Sequence, residues 1–185
     1  GACVSIAQDR IVEKQFLKQC QELSGIGPAP HAVIRSEGDF ALLPDDLFPG
    51  ILKTARLGYD GKGQVTVHQR NELGKGWRDL GCVDCVLEKR MPLAFEVSAL
   101  VVRGHDGQSV AYPISENVHR NGILHTSTVP SPSLQTSLVP KIIRASQLIA
   151  EEMGEKEIEK GLDRLKRSLN HEINRLTSLQ KKNKD

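Results

Sequence analysis

Aromatic side chains are scarce: one Trp, two Tyr and four Phe make up 4% of 185 residues. Stacking platforms for single-stranded nucleic acid depend on such rings, so that class of function is not expected. A large excess of charge is missing too. The 25 Lys and Arg against 23 Asp and Glu leave a net +2, which argues against a protein that grips nucleic acid by bulk charge. No apolar run approaches the roughly 18 residues that a membrane-spanning helix needs. The segment Gly1–Arg10 lacks the basic stretch and apolar core of a signal peptide. Neither a nucleic-acid nor a membrane partner is therefore expected. Cysteines are few, at positions 3, 20, 82 and 85. Cys82-Val83-Asp84-Cys85 is a lone CxxC with no second pair to complete a zinc site. The run Cys85-Val86-Leu87 that follows reads as a strand, not as the helix that opens a redox motif. Packing cysteines are the expectation, without a disulfide framework.

The chain has enough apolar material for a core, 38%, and a length of one domain or slightly more. Its composition shifts near residue 154. Residues 1–153 hold 16 basic and 17 acidic side chains, net −1, and residues 154–185 hold 9 and 6, net +3, with no aromatic, Pro or Cys. Two parts are expected, 1–153 and 154–185. In the first part, Ile11, Val12, Phe16, Leu17, Cys20 and Leu23 make a helical stripe over 9–23, broken by Gly25, Gly27, Pro28 and Pro30. Strands are expected at 31–35, 50–54, 64–68, 83–89, 95–103, 109–113 and 123–129, with 95–103 and 109–113 forming a hairpin. Ser36 and Asp39 suit a capping box opening a short helix, and further helices are expected over 69–79 and 138–153. In the tail, Ile158, Leu162, Leu165, Leu169, Ile173, Leu176 and Leu179 form a heptad-like seam with one stutter. That seam fits an amphipathic helix docked on its own domain, or a homodimeric coiled coil.

Three segments carry chemistry. The first runs from Lys53 to Gln64. A strand delivers Lys53, and glycines at 58, 61 and 63 with Lys62 follow. Glycines let backbone N–H groups approach an anion closely, so this reads as a phosphate-cradling loop, although it is not the GxxxxGK[ST] pattern. The second is Val86 to Met91 followed by Glu96. Glu88 could accept from an exocyclic amine and Glu96 from a sugar hydroxyl, although solvated strand-end charges are the commoner fate of Glu. The third is Ser115 to Arg120, either a polar loop closed by Asn121-Gly122 or a group of ligand contacts in which His119 donates or carries a proton.

Residues 1–153 resemble the central ATP-grasp domain of the N5-carboxyaminoimidazole ribonucleotide synthase family. The matching stretches are Ala7-Gln8-Asp9-Arg10 with Glu13-Lys14, Phe48–Lys53, the Gly58–Gln64 loop, Phe95–Ser98, Tyr112-Pro113, and Glu116-Asn117-Val118-His119-Arg120-Asn121-Gly122-Ile123-Leu124. The resemblance implies an α+β fold, antiparallel sheets with flanking helices. It implies a cytoplasmic ligase of purine biosynthesis that uses MgATP to join bicarbonate to aminoimidazole ribonucleotide. Lys53 then contacts the nucleotide phosphates, and the loop Gly58, Tyr59, Asp60, Gly61, Lys62, Gly63 and Gln64 folds over them. Glu88, Lys89, Arg90 and Met91 hold the adenine, Glu96 the ribose, and His119 lies in the same site. Tyr59 and Lys62 are also candidates to face the imidazole ribonucleotide.

The family's preceding Rossmann-like domain and its two later metal-binding Glu segments have no counterpart in these 185 residues. An incomplete ATP-grasp domain followed by a long amphipathic helix is thus expected. With no magnesium ligands identified, weak nucleotide binding and no carboxylation by this chain alone are expected. Open sheet edges and apolar faces are expected as well. The alternative is a non-catalytic interaction or oligomerisation protein that works through its C-terminal helix.

Overall fold

A computed structural model describes residues 2–58, 63–104, 106–120 and 122–156. Helix α1 (Ala2–Ala7) leads into α2 (Arg10–Ser24). Asp9 starts α2 by accepting from the Ile11 amide at 2.9 Å and the Val12 amide at 3.4 Å, two of the donors that a helix start leaves unpaired. Gly25 ends it at φ 72°, its N–H bonded to the Gln21 carbonyl at 2.9 Å, a conformation that glycine reaches without a side-chain clash. Asp9 also receives Arg56 Nε at 2.9 Å. Burial alone would raise its carboxyl pKa, but Arg56 and the two amides outweigh that and hold it below the usual range. Asp9→Ala should lower unfolding stability by about 1–2 kcal/mol, measured by urea titration of Trp77 fluorescence.

The first sheet contains β1 (His31–Ile34), β2 (Gly50–Thr54), β3 (Gln64–Val67) and β4 (Cys85–Lys89) in the order β1-β4-β2-β3, all neighbours antiparallel. Side chains alternate across a strand, and the register assigns each face. Ile34, Leu52, Val67, Cys85 and Leu87 share one face and form the main core with Leu73 and Trp77 of α3 (Leu73–Asp79). Phe40 meets Trp77 edge-on at 5.9 Å. On the other face Val33 and Val86 pack with Ala55 against Ile11 of α2.

The second sheet has the order β5-β8-β9, with β5 (Glu96–Ser98), β8 (Ser115–Arg120) and β9 (Ile123–Thr128). Strands β6 (Val101–Arg103) and β7 (Ser109–Ala111) form a separate hairpin. Leu100, Val102, Val110 and Tyr112 are each more than half exposed and lie on one face of it, because Val102 pairs with Val110 and the Tyr112 amide bonds to the Leu100 carbonyl. The expected open apolar surface is thus present on this hairpin. The last described helix, α4, covers 139–156; Ile149 and Met153 pack against Ile6, Phe16 and Cys20. It runs through 154 without a break, and the heptad seam at 158–179 lies outside the described residues.

Several local expectations need correction. The β-prone run 95–103 is two strands, because Glu96–Ser98 pairs with β8 while Val101–Arg103 pairs with β7. Residues 115–120 form the central strand of a sheet, not a loop. Strand β4 starts at Cys85, and Cys82 is exposed at φ 56°, so it is no packing residue, whereas Cys20 and Cys85 are buried. Asp39 does take the Ser36 amide at 2.8 Å, but the helix it opens, Glu37–Leu42, is a 3-10 helix. The first turn of the expected 69–79 helix is also 3-10, Arg70–Glu72. Helix α1 had no sequence signal; burial of Ile6 against α2 holds it.

Candidate functional site

The face of the first sheet opposite the main core carries a polar row. Lys53 lies opposite Gln64, Ile51 opposite both Thr66 and Glu88, and His31 opposite Glu88. Helix α2 crosses this face. Ile11 packs down onto Val86 and Ala55, and Lys14, one turn later, reaches the same carboxylate as Lys53. Glu88 Oε2 receives Lys53 Nζ at 3.1 Å and Lys14 Nζ at 3.3 Å. Glu88 is only 9% exposed, so it is not a solvated strand-end charge. Burial pushes its pKa up, but the two lysines beside it outweigh this and hold it below the ordinary glutamate range. Two ammonium groups sharing one carboxylate leave one positive charge in surplus. In a half-desolvated setting that surplus favours an anion.

The glycine-rich loop opens directly from this row. The Thr54 amide bonds to the Gly63 carbonyl at 2.9 Å, closing its base. Gly63 sits at φ 77°, and a Cβ there would lie 2.8 Å from Thr54 Oγ1, so both conformation and space require glycine. Leu57, 92% exposed, holds a left-handed φ of 61° at the loop's entry, a conformation costing a non-glycine residue about 1–2 kcal/mol. Tyr59, Asp60, Gly61 and Lys62 lie outside the described residues. Gly58 lies under the Arg10 guanidinium, where a Cβ would come within 2.9 Å of Nη1. Arg10 also donates to the Thr54 carbonyl at 2.8 Å. Arg10, Arg56, Glu13 and Gly58 help line a cavity of about 540 Å³ at the loop's entry.

The second sheet supplies the remaining pair. His119 Nδ1 and Glu96 Oε2 lie 2.6 Å apart, both partly exposed. The two sheets meet where the Gln64 amide rests against Gly122, at the tip of the β8–β9 hairpin. Lys53, Glu88, Gly58, Gly63 and Gln64 therefore form one group, and Glu96 and His119 form a second that adjoins it through Gly122.

Lys89, Arg90 and Met91 are placed differently. Strand alternation turns Lys89 away from Glu88, and its Nζ lies 3.4 Å from Asp46. The Arg90 amide bonds to the Pro49 carbonyl, and Met91 is exposed just past the strand. Arg10 and Lys14 were not among the expected site residues. Their signal was the i, i+4 spacing of two cations just after a helix-capping Asp, which puts both on one face of α2.

The arrangement can hold a polyanion against Lys53 and the loop, with an acid and an imidazole one sheet away. A family model described as ATP-grasp domain matches residues 20–156. The N5-carboxyaminoimidazole ribonucleotide synthase of Staphylococcus aureus strain COL is 34% identical over 151 residues, covering 79% of this chain and 39% of that protein. The synthase of the same name from Pseudomonas aeruginosa is 38% identical over 127 residues, covering 68% and 34%. A crystal structure of the Staphylococcus aureus N5-carboxyaminoimidazole synthetase complexed with ADP superposes with a TM-score of 0.64 at 32% identity, over 78% of this chain and 37% of that one. The chain thus spans between a third and two fifths of the length of these relatives. With antiparallel sheets meeting at a glycine-rich loop and a family match over most of its length, this chain belongs to the ATP-grasp family.

Proposed function

We propose that this chain is the nucleotide-holding part of an N5-carboxyaminoimidazole ribonucleotide synthase. The activity is ATP-dependent carboxylation of aminoimidazole ribonucleotide in purine biosynthesis, a cytoplasmic process. The observation that carries the reading is the surplus positive charge of Lys14 and Lys53 on Glu88, at the mouth of a loop whose Gly63 admits no side chain. Lys53 and the loop amides hold the phosphates. The backbone after Glu88 borders the adenine, and Glu96 with His119 takes the sugar. Tyr59 and Lys62 are the candidates to meet the imidazole ribonucleotide. In phosphoryl transfer most of the rate comes from positioning and charge neutralisation, and the residues named here supply both on the nucleotide side.

Magnesium normally bridges the phosphates in such reactions. Among the described residues no group of three or more His, Cys, Asp or Glu side chains could hold a metal ion. In this reading the phosphate charge met by the described residues falls on Lys53 and the base of the loop. A homodimer is one use this reading allows for the heptad-like seam at 158–179, which lies outside the described residues.

Calorimetric titration of ATP into the full chain tests the proposal. Saturable binding that changes little when EDTA replaces magnesium is expected. An absence of binding would refute the reading. A strong magnesium dependence would show that further acids take part.

A further inference from the structure

The face of the second sheet that carries Glu96 and His119 holds an ordered row of neutral polar groups. Asn117 is the cross-strand partner of Glu96 on one side and of Ser127 on the other. Its Nδ2 donates to Ser98 Oγ at 2.6 Å, and its Oδ1 accepts from Ser127 Oγ at 2.8 Å. The amide is therefore fixed in rotation and in the identity of its two ends. One Nδ2 hydrogen and the Ser98 hydroxyl hydrogen remain free to donate, and a Ser127 lone pair remains free to accept. Beside this row the Glu96 carboxylate, held by His119, accepts only.

An acceptor-only carboxylate next to a donor amide matches adjacent hydroxyls, each of which both donates and accepts. It does not match a phosphate, which only accepts and would be repelled by Glu96. Cross-strand Asn–Ser contacts also stabilise a sheet, but sheet stability alone does not need such a row on an open face beside the Glu96–His119 contact.

We propose that Asn117, clamped by Ser98 and Ser127, reads the vicinal diol of the nucleotide's ribose together with Glu96, and so makes the site select ribonucleotides over deoxyribonucleotides. This rests on the nucleotide reading above. A site that hydrogen-bonds a hydroxyl disfavours the analogue lacking it, because the site's own polar groups are then left unpaired.

The test is calorimetric titration of ATP, 2′-deoxyATP and 3′-deoxyATP into the full chain and into Asn117→Thr, which keeps strand propensity. The unaltered chain should bind ATP about tenfold more tightly than either deoxynucleotide, the loss of roughly one hydrogen bond. In Asn117→Thr the three affinities should converge to within about twofold, through weaker ATP binding. Ser127→Ala, which frees the amide to rotate, should narrow the ratio partway and serves if Asn117→Thr does not fold. Equal affinities in the unaltered chain, or a variant that weakens all three equally, would overturn the inference while leaving the nucleotide reading intact. No binding of any of the three would overturn both.

Discussion

Lys53→Ala should weaken ATP binding about a hundredfold, the loss of one charge-assisted hydrogen bond of about 2–3 kcal/mol. The side chain is 23% exposed and leaves β2 directly below the glycine-rich loop. An anion arriving there meets an ammonium that is oriented in advance by Glu88. Removing it cancels the surplus charge, because Lys14 and Glu88 then neutralise each other. The fold should tolerate the change, since the Lys14–Glu88 contact at 3.3 Å remains. Unchanged Trp77 fluorescence with weakened titration heats is the expected pair of results. Equal ATP affinity in both proteins would place the phosphates elsewhere.

Glu88→Gln should act on stability, lowering it by about 3 kcal/mol at pH 7, near the lower end for breaking a buried ion pair because both lysines keep some solvent contact. The variant leaves two lysines facing a neutral amide and each other. The pH dependence gives a sharper signature. The Glu88 pKa is depressed in the folded state. Its contribution is therefore fully present above the unfolded value of about 4.3, and is lost as pH falls through the lower folded value. The unaltered chain should lose this stability in acid, and Glu88→Gln should lack that component. The two urea midpoints, well apart at pH 7, should then draw together as pH falls below about 4.3 and through the lower folded value. Midpoints that stay equally far apart from pH 7 to pH 3 would show that Glu88 is held by something other than the lysines.

Much of the site was readable before the fold was known. The Gly63 position, the strand carrying Lys53 and the strand ending near Glu88 all follow from local pattern, because alternation and glycine usage are properties of a few adjacent residues. That Glu96 and His119 belong to one site was implied only by the resemblance, and their contact came from the structure. Nothing in the spacing of residues 96 and 119 says that β5 and β8 are neighbours. The spacing of Arg10 and Lys14 puts them on one face of α2, but what that face meets depends on α2 lying across the sheet.

The division between strand and loop was also partly hidden. Residues 115–120 are polar but for Val118, and their burial pattern runs from half-buried to exposed, so hydrophobic periodicity, the main sequence signal for a strand, is absent. They extend because β5 and β9 bond them on both sides. The run 95–103 showed the opposite error, since uniform β propensity concealed the point where the chain changes partners.

By itself the sequence determined the glycine loop, the capped helix α2, the alternation that builds the main core, and membership of the family, since each rests on residues close together in the chain or on motif identity. Only the tertiary structure decided that Lys14 and Lys53 share Glu88, that Gly122 brings the second sheet to Gln64, and that Asn117 is clamped between two serines. These contacts join residues between 10 and 74 positions apart. Their energies depend on register and burial, which arise only when strands and helices pack.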